Sequence, residues 1–264
     1  MTSRPAFVPA SGNRPGVLTE SFAFTWNTGF ARSQKIKNVM ALHRSILENH
    51  PEYTPLEISS KSTEPLGVAM SAFNLAAKGK KSGERMTVES VFQASKVFQG
   101  NLGPHPEWYP LPSKEVRDRV KAIGDIPLTG FRFGKEEWPL MPSRLFYDWI
   151  YCKTLDLNPE MVEALETYDC FTDIEFNPVR SINCQAYAVA LYLSLKRCGV
   201  LAEALQSREA FTRFHPVEAV GLQRDNKSAS PKKGRKTTSR KLRVEESLFA
   251  LDASGAGGAE GRDR

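Results

Sequence analysis

Four cysteines and four histidines are all that 264 residues provide of these types, and neither set is spaced for chemistry. Cys152, Cys170, Cys184 and Cys198 are never closer than fourteen residues. No C-x-x-C pair is available for zinc or disulfide exchange, and apolar neighbours make reduced core thiols the expectation. His43, His50, His105 and His215 form no H-E-x-x-H. A G-x-G-x-x-G turn, a Walker A loop and a G-x-S-x-G elbow are all missing, which excludes the commonest dinucleotide, nucleotide and serine-hydrolase sites. No apolar run reaches the ~18 residues a membrane helix needs. Met1-Thr-Ser-Arg-Pro5 is polar where a secretory leader is apolar, so the expected compartment is the cytoplasm.

What remains is an ordinary globular composition, 41% hydrophobic and 25% charged, long enough to bury one good core. The net charge of +6 is unevenly placed. Arg224 to Arg243 holds nine Lys/Arg against one Asp, while Val244 onward is acidic and the first 223 residues are nearly neutral. Three segments are expected: a flexible arm over 1–28, one domain over 29–222, and a basic tail over 223–264 with too few apolar groups to offset ordering entropy. The tail, with Lys232, Lys233, Arg235 and Lys236, reads either as a solubilising terminus or as a nonspecific phosphate-binding arm.

Within the domain, Ile36, Val39, Met40, His43, Ile46 and Leu47 follow amphipathic helical spacing, with His43 as a satisfied core group. Ser113 can cap a helix ending at Gly124, Asn158-Pro159-Glu160 starts another, and Ala186 to Cys198 stops at Gly199. Leu56–Lys61 and Leu66–Ser71 alternate around Ser62-Thr-Glu-Pro65, which predicts a hairpin. Thr129–Phe133 and Cys170–Phe176 read as short strands or extended loops. The fold class is α+β, mainly helical, with a small sheet.

Thr87 as N-cap and Gly100 as C′ residue predict one helix over 88–99. On it Glu89, Gln93 and Lys96 lie within about 60° of one another, beside the buried face of Val88, Val91, Phe92, Ser95 and Phe98. A carboxylate, an amide and an amine in one stripe suit a cavity wall. The same pattern also occurs on ordinary solvated helix surface, where Glu89 simply meets the helix dipole.

Four ordered segments give this stripe a context: Met70-Ser-Ala-Phe-Asn-Leu75, Val88-Glu-x3-Gln-x2-Lys96, Asn158-Pro159 through Leu165 to Thr167-Tyr-Asp169, and Ile174-Glu-Phe-Asn-Pro178. Together they resemble NADAR domains over about residues 30–210. Leu56-Glu-Ile-Ser-Ser-Lys-Ser62, Phe146-Tyr-Asp-Trp-Ile-Tyr151, Phe171 to Pro178 and Ser181-Ile-Asn-Cys-Gln185 point to the branch that serves as antitoxin to guanine-specific DarT DNA ADP-ribosyltransferases. The resemblance implies hydrolysis of the bond between ADP-ribose and the guanine amino group of DNA, with neither metal nor cofactor. It implies ADP-ribosylated DNA and a DarT-type toxin as partners. By the same resemblance Glu89 and Lys96 match the active-site helix, and Ser71 and Phe73 the Ser/Phe segment. Where distant relatives carry an Asp and then Trp-Gly, this chain has Arg180 and Asn183-Cys184, so Asn183 and Gln185 are the candidates for ligand contact there.

The residues suit that chemistry. Cleavage builds positive charge on the ribose carbon, which a carboxylate stabilises, and a proton must reach the departing amine. Glu89 is the first candidate, with Asp148 and Asp173 as second acids. Lys96 serves either as a phosphate contact or as an amine nucleophile on a ring-opened sugar. Lys61, Asn74, Gln93, Trp138, Trp149, Tyr147 and Glu175 are available to line an ADP-ribose cavity, the tryptophans having a core reading as well. The loop Gly100–Pro110 reads as a lid, a DNA-facing wedge or a packed surface loop. The guanine amino group lies in the minor groove, so an adduct there already projects outward and base flipping is not required. Two other readings stay open: a noncatalytic antitoxin that binds toxin or modified DNA, and an N-glycosidase for small aminopyrimidine ribosides.

Overall fold

A computed structural model describes residues 2–29, 31–79, 83–178 and 182–216. The basic tail, with Lys232, Lys233, Arg235 and Lys236, lies outside them, as does Arg180. Among the described residues no helix is long and apolar enough to cross a membrane.

The elements, in chain order, are β1 (Thr2–Pro9), β2 (Val17–Phe24), α1 (Arg32–Asn49), β3 (Pro55–Glu57), α2 (Pro65–Ala69), β4 (Ala76–Lys78), β5 (Arg85–Thr87) and α3 (Val88–Ala94). Next come β6 (Lys96–Phe98), a 3-10 turn (Pro106–Trp108), α4 (Ser113–Ala122), β7 (Leu128–Phe133), β8 (Glu136–Trp138) and α5 (Leu145–Asp156). The rest are α6 (Pro159–Leu165), β9 (Cys170–Thr172), α7 (Gln185–Arg197), α8 (Leu201–Ala204) and α9 (Arg208–Phe214). The expected α+β class is the observed one, with strands in a four-stranded sheet (β2-β1-β9-β3), a β4-β5 pair and a three-stranded sheet (β6-β7-β8).

α7 sits at the centre. All eleven residues from Gln185 to Leu195 are buried, and a helix apolar on every side must be covered on every side. α5 covers one flank, and β1 and β9 another. Around α5 the rings of Phe92, Phe131, Phe146, Trp138 and Trp149 form a continuous cluster with centroids 4.8–6.4 Å apart. Cys152, Cys170 and Cys184 are buried free thiols, and Cys198 is half-buried.

The structure corrects three expectations. The flexible arm expected over 1–28 is, among the described residues, a hairpin: β1 and β2 pair from Thr2↔Phe24 to Pro9↔Val17, and β1 continues onto β9. Prolines argue against a central strand because they lack a ladder N–H. On β1 the pairing with β9 is confined to Ala6 and Phe7, so Pro5 and Pro9 fall outside the doubly paired stretch. Residues 56–71 are not a hairpin. β3 runs parallel to β9, and Pro65 opens α2 from the first-turn position where its missing N–H costs nothing. The predicted helix over 88–99 stops at Ala94. Its terminal carbonyls are taken by non-local donors, Ala94 O by His105 N (2.8 Å) and Ser95 O by Arg132 N (2.8 Å), and Lys96–Phe98 joins β7 as a strand.

Other readings needed smaller changes. α1 buries Val39, Leu42 and Ile46, while Met40 and Leu47 face outward; Asn38 takes a buried place through hydrogen bonds with Asn27. Pro112, not Ser113, precedes the first turn of α4. His43 is a satisfied group, 2.9 Å from the Thr172 hydroxyl, with burial pulling its pKa down to about 4.

Phe7 is 3% exposed and meets Tyr187 and Phe176 edge-on, so the hairpin is part of the core. Phe7→Ala should destabilise the protein by about 3–5 kcal/mol in chemical denaturation; a flexible arm would tolerate the change with no measurable loss.

Candidate active site

The site begins at the start of α3. Thr87 caps the helix, its hydroxyl accepting from Ser90 N at 3.1 Å, and this fixes the first turn that carries Glu89. Glu89 N donates to Ala72 O at 2.9 Å, which holds the carboxylate beside the segment Met70–Leu75. Its side chain is 13% exposed. Gln93 donates to it at 3.1 Å and Arg117 Nε of α4 lies 3.7 Å away. Burial raises the Glu89 pKa, while Gln93, Arg117 and Lys96 oppose the rise.

Lys96 reaches the same place from β6. Its ammonium lies 5.6 Å from the Phe92 ring centre, and burial lowers its pKa against the pull of Glu89. Gly103 holds this strand end closely: at φ +84 its Cα faces Lys96 O so tightly that a Cβ would come within 2.4 Å. A carboxyl group poised upward and an amine poised downward thus share one partly dry corner, as acid–base or nucleophilic chemistry requires.

From this corner a seam of hydrogen bonds crosses the domain. Ala72 N donates to Gln185 Oε1 at 2.8 Å, and Gln185 in turn hydrogen-bonds the Asp173 carboxyl. Asp173 Oδ1 also accepts from Glu175 N and Phe176 N at 3.1 and 3.2 Å. Next to it is Glu57, 1% exposed. Glu57 accepts from Ser59 Oγ (2.6 Å), Thr172 Oγ1 (2.6 Å) and Ile174 N (2.9 Å). Gly67 makes this packing possible, since a Cβ there would lie 2.0 Å from Glu57 O. Burial pushes the Asp173 pKa well above its ordinary range, with Glu57 adding to it, and burial raises Glu57 too. Two carboxyls in so dry a place cannot both be charged, so the pair retains a proton.

Tyr147 connects the two ends. It is buried, and its pKa is pushed far up by burial first and then by charge at Glu89, Tyr151 and Asp173. Ser71 Oγ and Asn183 Oδ1 are buried atoms without a hydrogen-bond partner, the kind of group a bound ligand satisfies. Phe73 is 41% exposed beside Arg117, whose guanidinium lies 5.7 Å from the ring centre. At the far end Arg4 and Lys35 flank the Trp26 ring at 5.2 and 5.3 Å, and both sense the acids there: Lys35 pairs with Glu175 at 3.2 Å.

The structure therefore gathers Glu89, Gln93, Lys96, Ser71, Phe73, Asp173 and Gln185 along one seam, with Asn183 two residues before Gln185. Lys61 attaches to it through its backbone, N to Ser59 Oγ at 3.1 Å. Asn74 turns back to Val68 O (2.8 Å) and braces the loop. Glu175 is exposed at the margin. Two candidates lie elsewhere. Asp148 is fully buried in a closed ion cluster, its Oδ2 3.3 Å from Arg144 Nε and 2.9 Å from His215 Nε2. Trp138 is 1% exposed in the aromatic core; it helps to line a cavity of about 920 Å³ with Phe98, Arg132, Met141 and Arg208, which no other candidate reaches. Trp149 is likewise core. Among the described residues no group of three or more His, Cys, Asp and Glu is arranged to hold a metal ion.

Sequence reasoning overlooked Glu57, Arg117 and Arg4. Glu57 left a trace, an acid between the apolar Leu56 and Ile58 in a strand. Arg117 left none, because its place depends on how α4 docks.

A family model described as DarT1-associated NADAR antitoxin matches residues 2–224. The comparison with curated proteins gave no match.

The retained proton makes a stability prediction. Asp173 has a raised folded-state pKa, so its contribution is fully present below the unfolded value near 3.8 and is lost as pH rises through the folded value. Asp173→Asn should therefore flatten the fall in Tm as pH rises above the unfolded value near 3.8. An unchanged Tm–pH slope would show that no proton is held there.

Proposed function

Since this chain belongs to the DarT1-associated NADAR antitoxin family, we propose that it counters a DarT-type toxin in the cytoplasm by hydrolysing the bond between ADP-ribose and the guanine amino group of DNA. The observation that carries this reading is the Glu89–Lys96 corner: a half-buried carboxyl with raised pKa beside an amine with lowered pKa, held through Ala72 against the segment whose Ser71 hydroxyl lacks a partner.

The ribose carbon binds at Glu89. As the C–N bond lengthens, its electron pair moves to the guanine nitrogen, which takes up a proton from solvent, and positive charge grows on the sugar carbon. Glu89 faces that charge and accepts a proton from the attacking water, whose oxygen becomes the new hydroxyl of ADP-ribose. Lys96 retains both of its readings, as a point charge on a phosphate or as an amine that attacks a ring-opened sugar. The buried polar seam through Gln185 and Asp173 fits the sugar hydroxyls. The Arg4–Trp26–Lys35 cluster has the charge and the flat ring suited to a nucleotide's remote end. Hydrogen-bonding groups held in place by the core are what preorganised electrostatic stabilisation asks for.

A noncatalytic antitoxin would not need a carboxyl with a raised pKa beside an amine with a lowered one. Glu89→Gln keeps the size and the Gln93 contact while removing the charge. It should lower release of ADP-ribose from a guanine-modified oligonucleotide by about 10²–10⁴-fold with the melting profile retained. If cells carrying this variant remain protected from the toxin although release in vitro is lost, the hydrolase reading fails; unaltered release would remove Glu89 from the catalytic role.

A further inference from the structure

α4 plants its first turn on α3. Ser113 Oγ lies 2.8 Å from Thr87 Oγ1 and 3.1 Å from Ser90 Oγ, and Ser90 Oγ donates to Leu111 O at 2.9 Å. The helix therefore starts beside Glu89 and runs outward from it. At 3.6 residues per turn, Lys114, Arg117 and Lys121 fall within about 60° of one another, and all three are exposed. Asp118 is on the flank of that face away from Arg117, leaving it a net positive ridge. Glu115 is occupied by Arg119 at 2.7 Å. Among the described residues no carboxylate pairs with Lys114 or Lys121.

Arg117, the middle residue of this ridge, joins it to the site. It stands 3.7 Å from Glu89 and over the exposed Phe73 ring. From Lys114 to Lys121 the ridge rises about 10 Å, close to three base-pair steps at about 3.4 Å each. Cations on a helix at that pitch, the middle one over an exposed aromatic beside the reacting carboxylate, match a regular polyanion that carries its reactive group on a base.

We propose that the exposed face of α4 is a phosphate rail for duplex DNA, with Lys114, Arg117 and Lys121 on the backbone next to the modified guanine and Phe73 against the minor-groove edge. The proposal rests on the reading of Glu89 as the carboxylate that cleaves the adduct. It explains how a site with a nearly neutral body selects DNA: the rail supplies sequence-independent affinity and sets the register, while the adduct alone is read by the seam.

Lys114→Ala with Lys121→Ala tests the rail, because neither side chain touches the seam. Binding to an unmodified duplex is measured across salt concentrations, and turnover is measured on a guanine-ADP-ribosylated duplex and on ADP-ribosylated guanosine. The double variant should flatten the log–log salt slope by about two, so that from about 50 mM to about 200 mM salt the wild type loses about tenfold more affinity than the variant does. KM on the modified duplex should rise, with turnover of the nucleoside kept within about twofold. An unchanged slope and KM, or an equal loss on the nucleoside, would overturn the rail. So would a variant that loses affinity only for a DarT-type toxin, which would make this face a protein contact. If the wild type releases ADP-ribose from neither substrate, the Glu89 reading falls, while the unmodified duplex still decides the rail.

Discussion

Two buried carboxyls in adjoining parallel strands, Glu57 on β3 and Asp173 just beyond β9, are the constraint around which the rest of the site is arranged. Neither has solvent to spread its charge, so every available donor nearby is used: Ser59, Thr172 and Ile174 on one, Glu175, Phe176 and Gln185 on the other. A buried polar pair of this kind is costly unless fully satisfied. Its satisfaction fixes the strand register, the turn after β9 and the first residue of α7. Through Gln185 it also fixes Ala72, and through Ala72 the backbone of Glu89. The Glu89 corner inherits its position from this network.

Packing and polarity divide the labour. The aromatic cluster around α5 and the apolar α7 supply the burial that stabilises the fold, and the seam runs along its edge where partial exposure remains. Asp148 shows the contrast. It is as buried as the seam acids, but its Oδ2 is taken by Arg144 and His215, so it ties the end of α9 to α5, away from the seam. Glu89 differs: among the described residues the charges that act on it are Arg117 and Lys96.

How much of this was legible in the sequence depended on distance along the chain. Glu89 and Gln93 are one helical turn apart, and their shared stripe follows from spacing alone. Lys96 was placed on the same helix and lies instead on β6, yet it reaches the same corner, because a strand leaving the C-terminus of a short helix carries its first side chain back past the helix flank. Ser71, Phe73, Asp173 and Gln185 were reached through ordered motifs that resemble a family, which encode neighbourhood without geometry. Glu57 meets Thr172 across 115 positions, and Arg117 meets Glu89 only because two serines and a threonine join two helix starts. No local period reports either. The N-terminal strand was misread for a physical reason: Pro5 and Pro9 argue against a central strand, and only the short reach of β9 makes them harmless.

The central claim is that the Glu89 corner directs water onto a ribose carbon. Reaction of a guanine-ADP-ribosylated oligonucleotide in water labelled with heavy oxygen, followed by mass spectrometry of both products over the first turnovers, tests it most directly. The account predicts heavy oxygen in the released ADP-ribose, none in the oligonucleotide, and an intact guanine amino group. ADP-ribose that stays on the DNA, or that leaves without label, would contradict it.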